Sequence, residues 1–414
     1  VKTEVIAGAT TFLTMAYIIF VNPDILSAAG MDKEALIAVT CIAAGLASIL
    51  TGLLSNTPIA MAPGMGMNAF FAYSIVLGEK VSWQTALGIV FLAGLMFLIL
   101  TIVGIRKMLV EAVPRSLIYA IAVGIGLFIT FMGLVNIGFI VKSDATLVTA
   151  GELTPTVLIG LTGLLTMIIL EMLKIRGSLI IGILFATFLA LIYGDTQLPG
   201  NFYSYNIDIS PIAFQLDIIG AMKGSLFGAI FAMMFIDMFD SIGTVISCAY
   251  KAKIVDKEGR IQKIDRLLGI DASVTIIGSF LGTSPTTAYI ESGAGIEQGG
   301  RTGLTSVVTG LLFFIGLFFI PLIGIVPRYA TGPALVMVGM FMMKEVVNIN
   351  FSKIDEAFPS FIIIVAIALS YSISTGLAFG FISYTLLKAA SRKFRDIKPA
   401  MWVIAILSVM FFIV

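Results

Sequence analysis

The 414-residue chain is 59% hydrophobic and 12% charged, with a mean hydropathy of +1.08 and a formal net charge of +1. Apolar runs of membrane-spanning length recur from end to end. This excludes a soluble domain and leaves a polytopic α-helical protein whose solvent is the lipid bilayer. The balanced charge leaves no basic footprint for nucleic acid, and Cys41 and Cys248, in or beside apolar segments, suggest neither a disulfide frame nor a metal site. There is no histidine, so proton chemistry has to run on carboxylates that hold a proton near neutral pH.

The opening VKTEVIAG lacks the layout of a signal peptide, so residues 5–21 read as a retained first span. Its Thr10, Thr14 and Tyr17 share one face, which fits hydroxyls bonded back to their own helix or a polar contact surface. Residues 36–54 form the second span. Residues 57–77 are apolar but broken, with Pro58, Pro63, Gly64 and Gly66 ahead of Asn68. Spans at 83–103, 117–140, 156–173 and 179–193 follow, then a connection at 194–217 without Lys or Arg.

Residues 218–249 carry Asp237, Asp240, Thr244 and Ser247 at steps of three, four and three, which makes one face polar at membrane depth. A structural seam between helices is the competing account, but two carboxylates are an expensive way to make one. After a mixed-charge connector at 251–266 come 267–281, a second broken segment, 303–325, 329–343, 358–373 and 376–389. The final run, 399–414, is short for a span and reads equally as a span or an interfacial helix.

The second break, GTSPTTAYIESGAGIEQGG at 282–300, is the stretch around which the chain is organised. Unpaired backbone is costly in hydrocarbon, so such a break belongs in a protein-lined cavity, where a short half-helix aims its N-terminal amides at a polar ligand. Glu291 is expected in the middle of that half-helix, and a carboxylate at that depth marks a functional site. The competing reading is a re-entrant loop with Glu291 in water.

Basic residues cluster at Arg106, Lys107 and Arg115, at Lys174 and Arg176, at 251–266 and at 388–398, whereas 141–154 and 194–217 hold Lys142 alone. With fourteen segments all four clusters fall on one side, which the positive-inside rule makes cytoplasmic. Three landmarks also repeat. Pro63 and Pro285, the Pro-Arg at Pro114 and Pro327, and the polar faces around Thr14 and Asp237 are each separated by on the order of 220 residues. Two halves of about seven segments, an odd number, are inverted repeats, and paired broken segments in such halves point to a transport site at their interface.

Five stretches, in order, resemble one family: TTFLTMAYIIFVNP at 10–23, APGMGMNAFFAY at 62–73, FIDMFDSIGT at 235–244, GTSPTTAYIESGAG at 282–295 and GGRTGLTSVVTGLLF at 299–313. They are similar to the AzgA-like purine permeases, a branch of the nucleobase–cation symporter-2 family, over nearly the whole chain. The resemblance implies fourteen segments in two inverted seven-segment repeats, with segments three and ten each a short strand plus a half-helix. It implies a core domain (1–104 and 218–326) moving against a gate domain (105–217 and 327–398), with 399–414 as an apolar tail. It implies a purine-base importer in the cytoplasmic membrane and a homodimer through the gate domain.

By the same resemblance the base is held by Asp240, Glu291 and Asn68. Related uracil and xanthine carriers usually have Glu where Asp240 stands, so Asp240 agrees with the purine branch. Thr287, Tyr289 and Ser292 of the segment-ten motif, and Phe71, are further candidate contacts, with Phe70, Phe71, Phe239 and Tyr289 available to stack on a flat ring. Two carboxylates accept charge-assisted bonds from ring N–H or exocyclic amine. Asp237 lies three residues from Asp240, and like charges so placed disfavour joint ionisation. The coupling ion is therefore expected to be H⁺, bound at Asp237 or Asp240, with Glu291 holding the base and neither cofactor nor metal required. The alternatives are a uracil or xanthine carrier, an anion transporter of related fold, and a membrane-embedded enzyme. The enzyme lacks an evident nucleophile–base pair, and the anion carrier would want a basic residue near the half-helices, where only Arg301 is close.

Overall fold

The computed structural model describes residues 1–104, 113–205, 207–254 and 263–413. Arg106, Lys107, Lys257 and Arg260, which contribute to the orientation reading, lie outside them. Among the described residues nine helices are long and apolar enough to cross a membrane, joined by shorter apolar helices at Met65–Gly78, Ser178–Tyr193 and Pro399–Met410.

The first span is two helices, α1 (Lys2–Met15) and α2 (Ile18–Ser27), rather than the single one expected. Pro23 offers no N–H to the carbonyl of Ile19, and the Thr14 hydroxyl donates to the Thr11 carbonyl at 2.8 Å, which loosens the turn ahead of the break. Short-range bonds close the gap, from Ile19 N to Ala16 O and from Phe20 N to Tyr17 O, both 3.1 Å. α3 (Lys33–Ser55) begins at Asp32, whose side chain accepts from Ala35 N, and ends at Asn56 in the left-handed conformation.

β1 (Met61–Pro63), α4 (Met65–Ala69) and a π-helical turn at Phe70–Gly78 form the first broken segment, and α5 (Trp83–Val103) follows. α6 (Arg115–Ile137) leads to a hairpin of β2 (Ile140–Ser143) and β3 (Leu147–Ala150), then to α7 (Pro155–Met172) and α8 (Ser178–Tyr193). The long polar-faced helix α9 spans Phe227–Ala252, starting later than the expected residue 218. Ile218–Ala221 is a separate turn capped by Asp217, set off from α9 by Lys223 and Gly224.

The second broken segment follows α10 (Ile264–Leu281) and comprises β4 (Thr286–Ala288) and α11 (Ser292–Glu297). Beyond it run α12 (Gly303–Gly316), α13 (Arg328–Met343), α14 (Ile354–Ser370), α15 (Ile373–Ala390) and α16 (Pro399–Ile413).

The two breaks satisfy one another. β1 and β4 pair antiparallel, with Met61 opposite Ala288, Ala62 opposite Thr287 and Pro63 opposite Thr286. The ladder continues through Tyr289 N to Ala60 O at 3.0 Å and Gly64 N to Pro285 O at 2.9 Å. Extended backbone at this depth thereby finds the partners that lipid cannot supply. Both strands are fully buried, and Ser48 of α3 braces them by accepting from Met61 N and donating to Met61 O.

Helix packing falls into two sets. α3 and α1 pack on α12, and α5 packs on α9 and α10, around the crossed strands; α13 packs on α6, α7 and α8, and α14 on α6 and α15. The ends of α14 and α15 are tied by Lys388, whose Nζ lies 2.9 Å from Asp355 and 3.4 Å from Glu356.

Candidate functional site

Between the two sets, beside the crossed strands, lies a cavity of about 420 Å³. That is ample for a small planar ligand and within the roughly 300–1,000 Å³ of ordinary ligand pockets. One wall comes from the first set: Gly64 to Met67 after β1, Thr287 to Glu291 at β4, Tyr17 at the head of α2, and the polar face of α9. The facing wall is apolar and aromatic, with Tyr119, Ile121 and Ile125 of α6 and Val338, Phe341 and Met342 of α13. Glu345, in the turn after α13, lies at the rim.

Helical periodicity places the first acidic group. Asp240, Gly243, Thr244 and Ser247 project from one face of α9, and Asp240 is exposed to the cavity. The second is Glu291, which differs from the expected position: it is the N-cap of α11 and not a mid-helix residue. The chain from Thr286 to Ala288 is committed to the strand ladder, and the turn through Tyr289 and Ile290 follows, so helix begins only at Ser292. Tyr17 fixes the Glu291 carboxylate by donating its hydroxyl to Oε1 at 2.7 Å. On the polar face read at Thr10, Thr14 and Tyr17, Thr10 bonds back to Ile6 O at 2.9 Å as expected, whereas Tyr17 reaches the site.

Thr287 and Tyr289 also line the cavity, Thr287 with its hydroxyl 2.6 Å from that of Ser241 and Tyr289 donating to Pro63 O at 2.5 Å. Five candidates lie behind the wall. Asn68 is fully buried and accepts at Oδ1 from the Ser284 hydroxyl. Ser292 is buried and accepts from Ala60 N at 3.0 Å, which ties α11 to the strand ladder. Phe71 is packed in the main core, as is Phe70; of the aromatic candidates Phe239 and Tyr289 reach the cavity. Asp237, one turn before Ser241 on α9, is not part of the cavity lining and accepts from Thr275 of α10 at 3.2 Å. Tyr17, Tyr119, Phe341 and Glu345 line the site without having been singled out as ligands from sequence; Tyr17 alone had a signal, its place on the polar face.

The electrostatics are one-sided. Asp240, Glu291 and Glu345 line the cavity and, among the described residues, no Lys or Arg does. The described residues also hold no cluster of three or more His, Cys, Asp or Glu that could grip a metal. The arrangement can accept hydrogen bonds from a ligand rich in N–H groups, hold it against aromatic rings and exclude an anion.

A cavity built on two interrupted segments, walled by a second packing set, defines a membrane transport protein. The chain belongs to the Permease family, whose family model (Xan_ur_permease) matches residues 2–379. It is 42% identical to the adenine permease AdeP of Escherichia coli, over 99% of this chain and 92% of that protein. It is 41% identical to the guanine/hypoxanthine permease PbuO of Bacillus subtilis, over 98% of this chain and 96% of that one. The fold matches the transmembrane domain of a cyanobacterial bicarbonate transporter, BicA, with a TM-score of 0.68 over 90% of this chain and 96% of that domain at 14% identity. The expected fold class and the resemblance to the purine permeases both stand.

Proposed function

We propose that the chain is a secondary-active symporter that imports purine bases, such as adenine, guanine or hypoxanthine, across the cytoplasmic membrane with a proton. The observation that carries the reading is the convergence of Asp240 and Glu291 on one cavity beside the crossed strands. A purine presents ring N–H groups, an exocyclic amine or carbonyl, and a flat face. Asp240 and Glu291 accept from the N–H edge, and charge-assisted bonds of that kind are the strong ones. Phe239, Tyr119 and Phe341 supply aromatic surface. The names of the relatives supply the substrate class: AdeP is an adenine permease and PbuO a guanine/hypoxanthine permease.

In this reading the set around the crossed strands is the core and the set around α6 and α13 is the gate, which also carries the homodimer contact. Of the cavity lining, Tyr119 and Ser247 lie about one turn from the basic residues Arg115 and Lys251, and in this reading that end is the cytoplasmic one. Asp237 and Asp240 are the candidates for the coupling proton; Asn68, Ser292 and Phe71 support the site from behind. The fold is shared with a bicarbonate carrier, but a carboxylate-lined cavity with no cation among its described residues disfavours an anion.

The test is binding of adenine, guanine, hypoxanthine, xanthine and uracil to purified protein, with Glu291→Gln and Asp240→Asn beside it. A purine is expected to bind, and each variant to weaken it by about tenfold or more, the loss of one charge-assisted bond. Binding of uracil alone, or unaltered binding in both variants, overturns the reading.

A further inference from the structure

Behind the cavity wall, α9 and α10 cross with a reciprocal exchange. Asp237 and Ser241 are one turn apart on α9, and Asp271 and Thr275 one turn apart on α10. Thr275 donates to Asp237 Oδ2 at 3.2 Å, and Ser241 donates to Asp271 Oδ2 at 2.7 Å. Each helix therefore offers a carboxylate to the other's hydroxyl, and the two acids are brought side by side in the interior. Asp237 is 1% exposed and Asp271 is fully buried. The second oxygen of each, Oδ1, has no hydrogen-bond partner, and neither has the buried hydroxyl of Thr286 on the adjoining strand.

No described basic residue forms an ion pair with either acid. The elements packed around them offer none: α5 carries no charged side chain, β4 is Thr-Thr-Ala, and α3 has Lys33 and Glu34 only in its first turn. The titratable group that faces the pair is a further acid, Asp240, one turn along α9. Two buried carboxylates with orphaned oxygens and no counter-charge are a high-cost arrangement unless a cation is shared between them.

We infer that Asp237 and Asp271 form a two-carboxylate site that shares one proton, distinct from the base-binding pair Asp240 and Glu291, and that this proton is the one exchanged during transport. The clause about exchange rests on the symport reading above; the occupancy of the pair does not. One proton turns a carboxylate of the pair from acceptor to donor and leaves the pair with a single negative charge.

The pair is wired to the cavity. Ser241 donates to Asp271, so it accepts from Thr287, whose hydroxyl lies 2.6 Å away on the cavity wall. A proton arriving on the Thr287 oxygen lets Thr287 release its own hydrogen to Ser241, and Ser241 releases its hydrogen to Asp271. Three O–H bonds form, on Thr287, Ser241 and Asp271, while the donating water, Thr287 and Ser241 each lose one. The charge of the pair changes from −2 to −1 by that one proton. The reverse sequence returns it.

Two readouts on purified, reconstituted protein separate the parts of the claim. The first is infrared difference spectroscopy of carboxyl C=O stretching during pH steps, without any base. Wild type is expected to show a buried protonated carboxyl near neutral pH, lost in both Asp237→Asn and Asp271→Asn and unaffected when K⁺ is replaced by Na⁺. Absence of the band, or its persistence in both variants, overturns the shared proton; its displacement by Na⁺ at constant pH overturns the proton in favour of sodium.

The second readout compares counterflow of labelled adenine or hypoxanthine, whichever wild type binds, with accumulation driven by a pH gradient. Asp271→Asn is expected to keep counterflow and lose accumulation. Ser241→Ala keeps both acids and slows only the pH-driven mode. Full pH-driven accumulation by Asp271→Asn overturns the coupling role. Wild type that neither binds nor exchanges a base instead refutes the purine reading and leaves the infrared result standing on its own.

Discussion

Asp24 of α2 lies 3.4 Å from the guanidinium Nε of Arg328 at the start of α13, and so ties the two packing sets together at that end of α13. Its other oxygen accepts from Thr331 at 2.7 Å, and Lys33 stands 3.7 Å away. Along α13, Arg328 and the rim residue Glu345 are separated by about 25 Å at 1.5 Å per residue. Asp24 is 2% exposed, so its two cations are more than a rim decoration. Arg328→Ala and Asp24→Asn are each expected to loosen that end. A cysteine placed at Ser74, whose hydroxyl donates to Tyr371 O across the same junction, then reacts with a membrane-impermeant maleimide about tenfold faster, as 1.4 kcal/mol of lost closure requires. Equal labelling rates with and without Arg328 would show that the contact does not hold the junction shut.

Tyr17 positions Glu291 with a single 2.7 Å hydrogen bond. Tyr17→Phe keeps the ring and removes that bond, which to a charged acceptor is worth about 1.5–3 kcal/mol. Base affinity is expected to fall by about tenfold, with the melting temperature little changed, because the buried ring of Tyr17 is kept. Calorimetric titration of wild type and variant decides this, and equal dissociation constants would leave Tyr17 as packing only.

Gly303 opens α12 where it crosses α3, and a Cβ there would fall on the Gly52 carbonyl oxygen. Its N–H also donates to Asn56 Oδ1 at 2.9 Å, so the helix start cannot simply swing aside. Gly303→Ala is expected to destabilise the fold by about 1–3 kcal/mol through overpacking, read as a lower melting temperature in detergent. The same substitution at Gly243, which has no heavy atom near its missing Cβ, is the control and is expected to be tolerated by the fold.

How far the site was legible in the sequence follows from the range of each interaction. Pro63 and Pro285 announced the breaks because proline acts on its own helix, and the 240–244–247 face was legible because a helix repeats locally. The strand pairing that joins the breaks is long-range, so the sequence suggests strands only through a family resemblance, and local spacing places Glu291 mid-helix where the ladder makes it the cap. Pro23 gives no notice of the break at Ala16 and Tyr17, because it lies beyond residues 5–21, the span read from hydropathy. Asn68 and Phe71 belong to the right segment but face Ser284 and the core, a matter of which side of a short helix is turned inward. Tyr119, Phe341 and Glu345 come from the opposing wall, and nothing in α6 or α13 marks which residues will meet the half-helices. Asp271 carries no local signal for the same reason: its partner, Asp237, is on another helix.

Gly66 tests whether the two packing sets move against each other. It lies in α4, in the cavity wall beside the crossed strands, and a Cβ there would come within 2.9 Å of the Cγ2 of Ile125 on α6 in the opposite wall. If transport requires α4 to slide past α6, an alanine at this point adds a steric step to the motion without touching Asp240 or Glu291. Gly66→Ala is expected to lower the turnover rate by about tenfold while base affinity changes by less than about threefold, since 1.4 kcal/mol of added barrier suffices. Pairing it with Ile125→Ala removes the offending methyl and restores the rate, a coupling that a double-mutant cycle measures directly. If Gly66→Ala turns over at the wild-type rate, or Ile125→Ala fails to rescue it, this contact does not limit the motion.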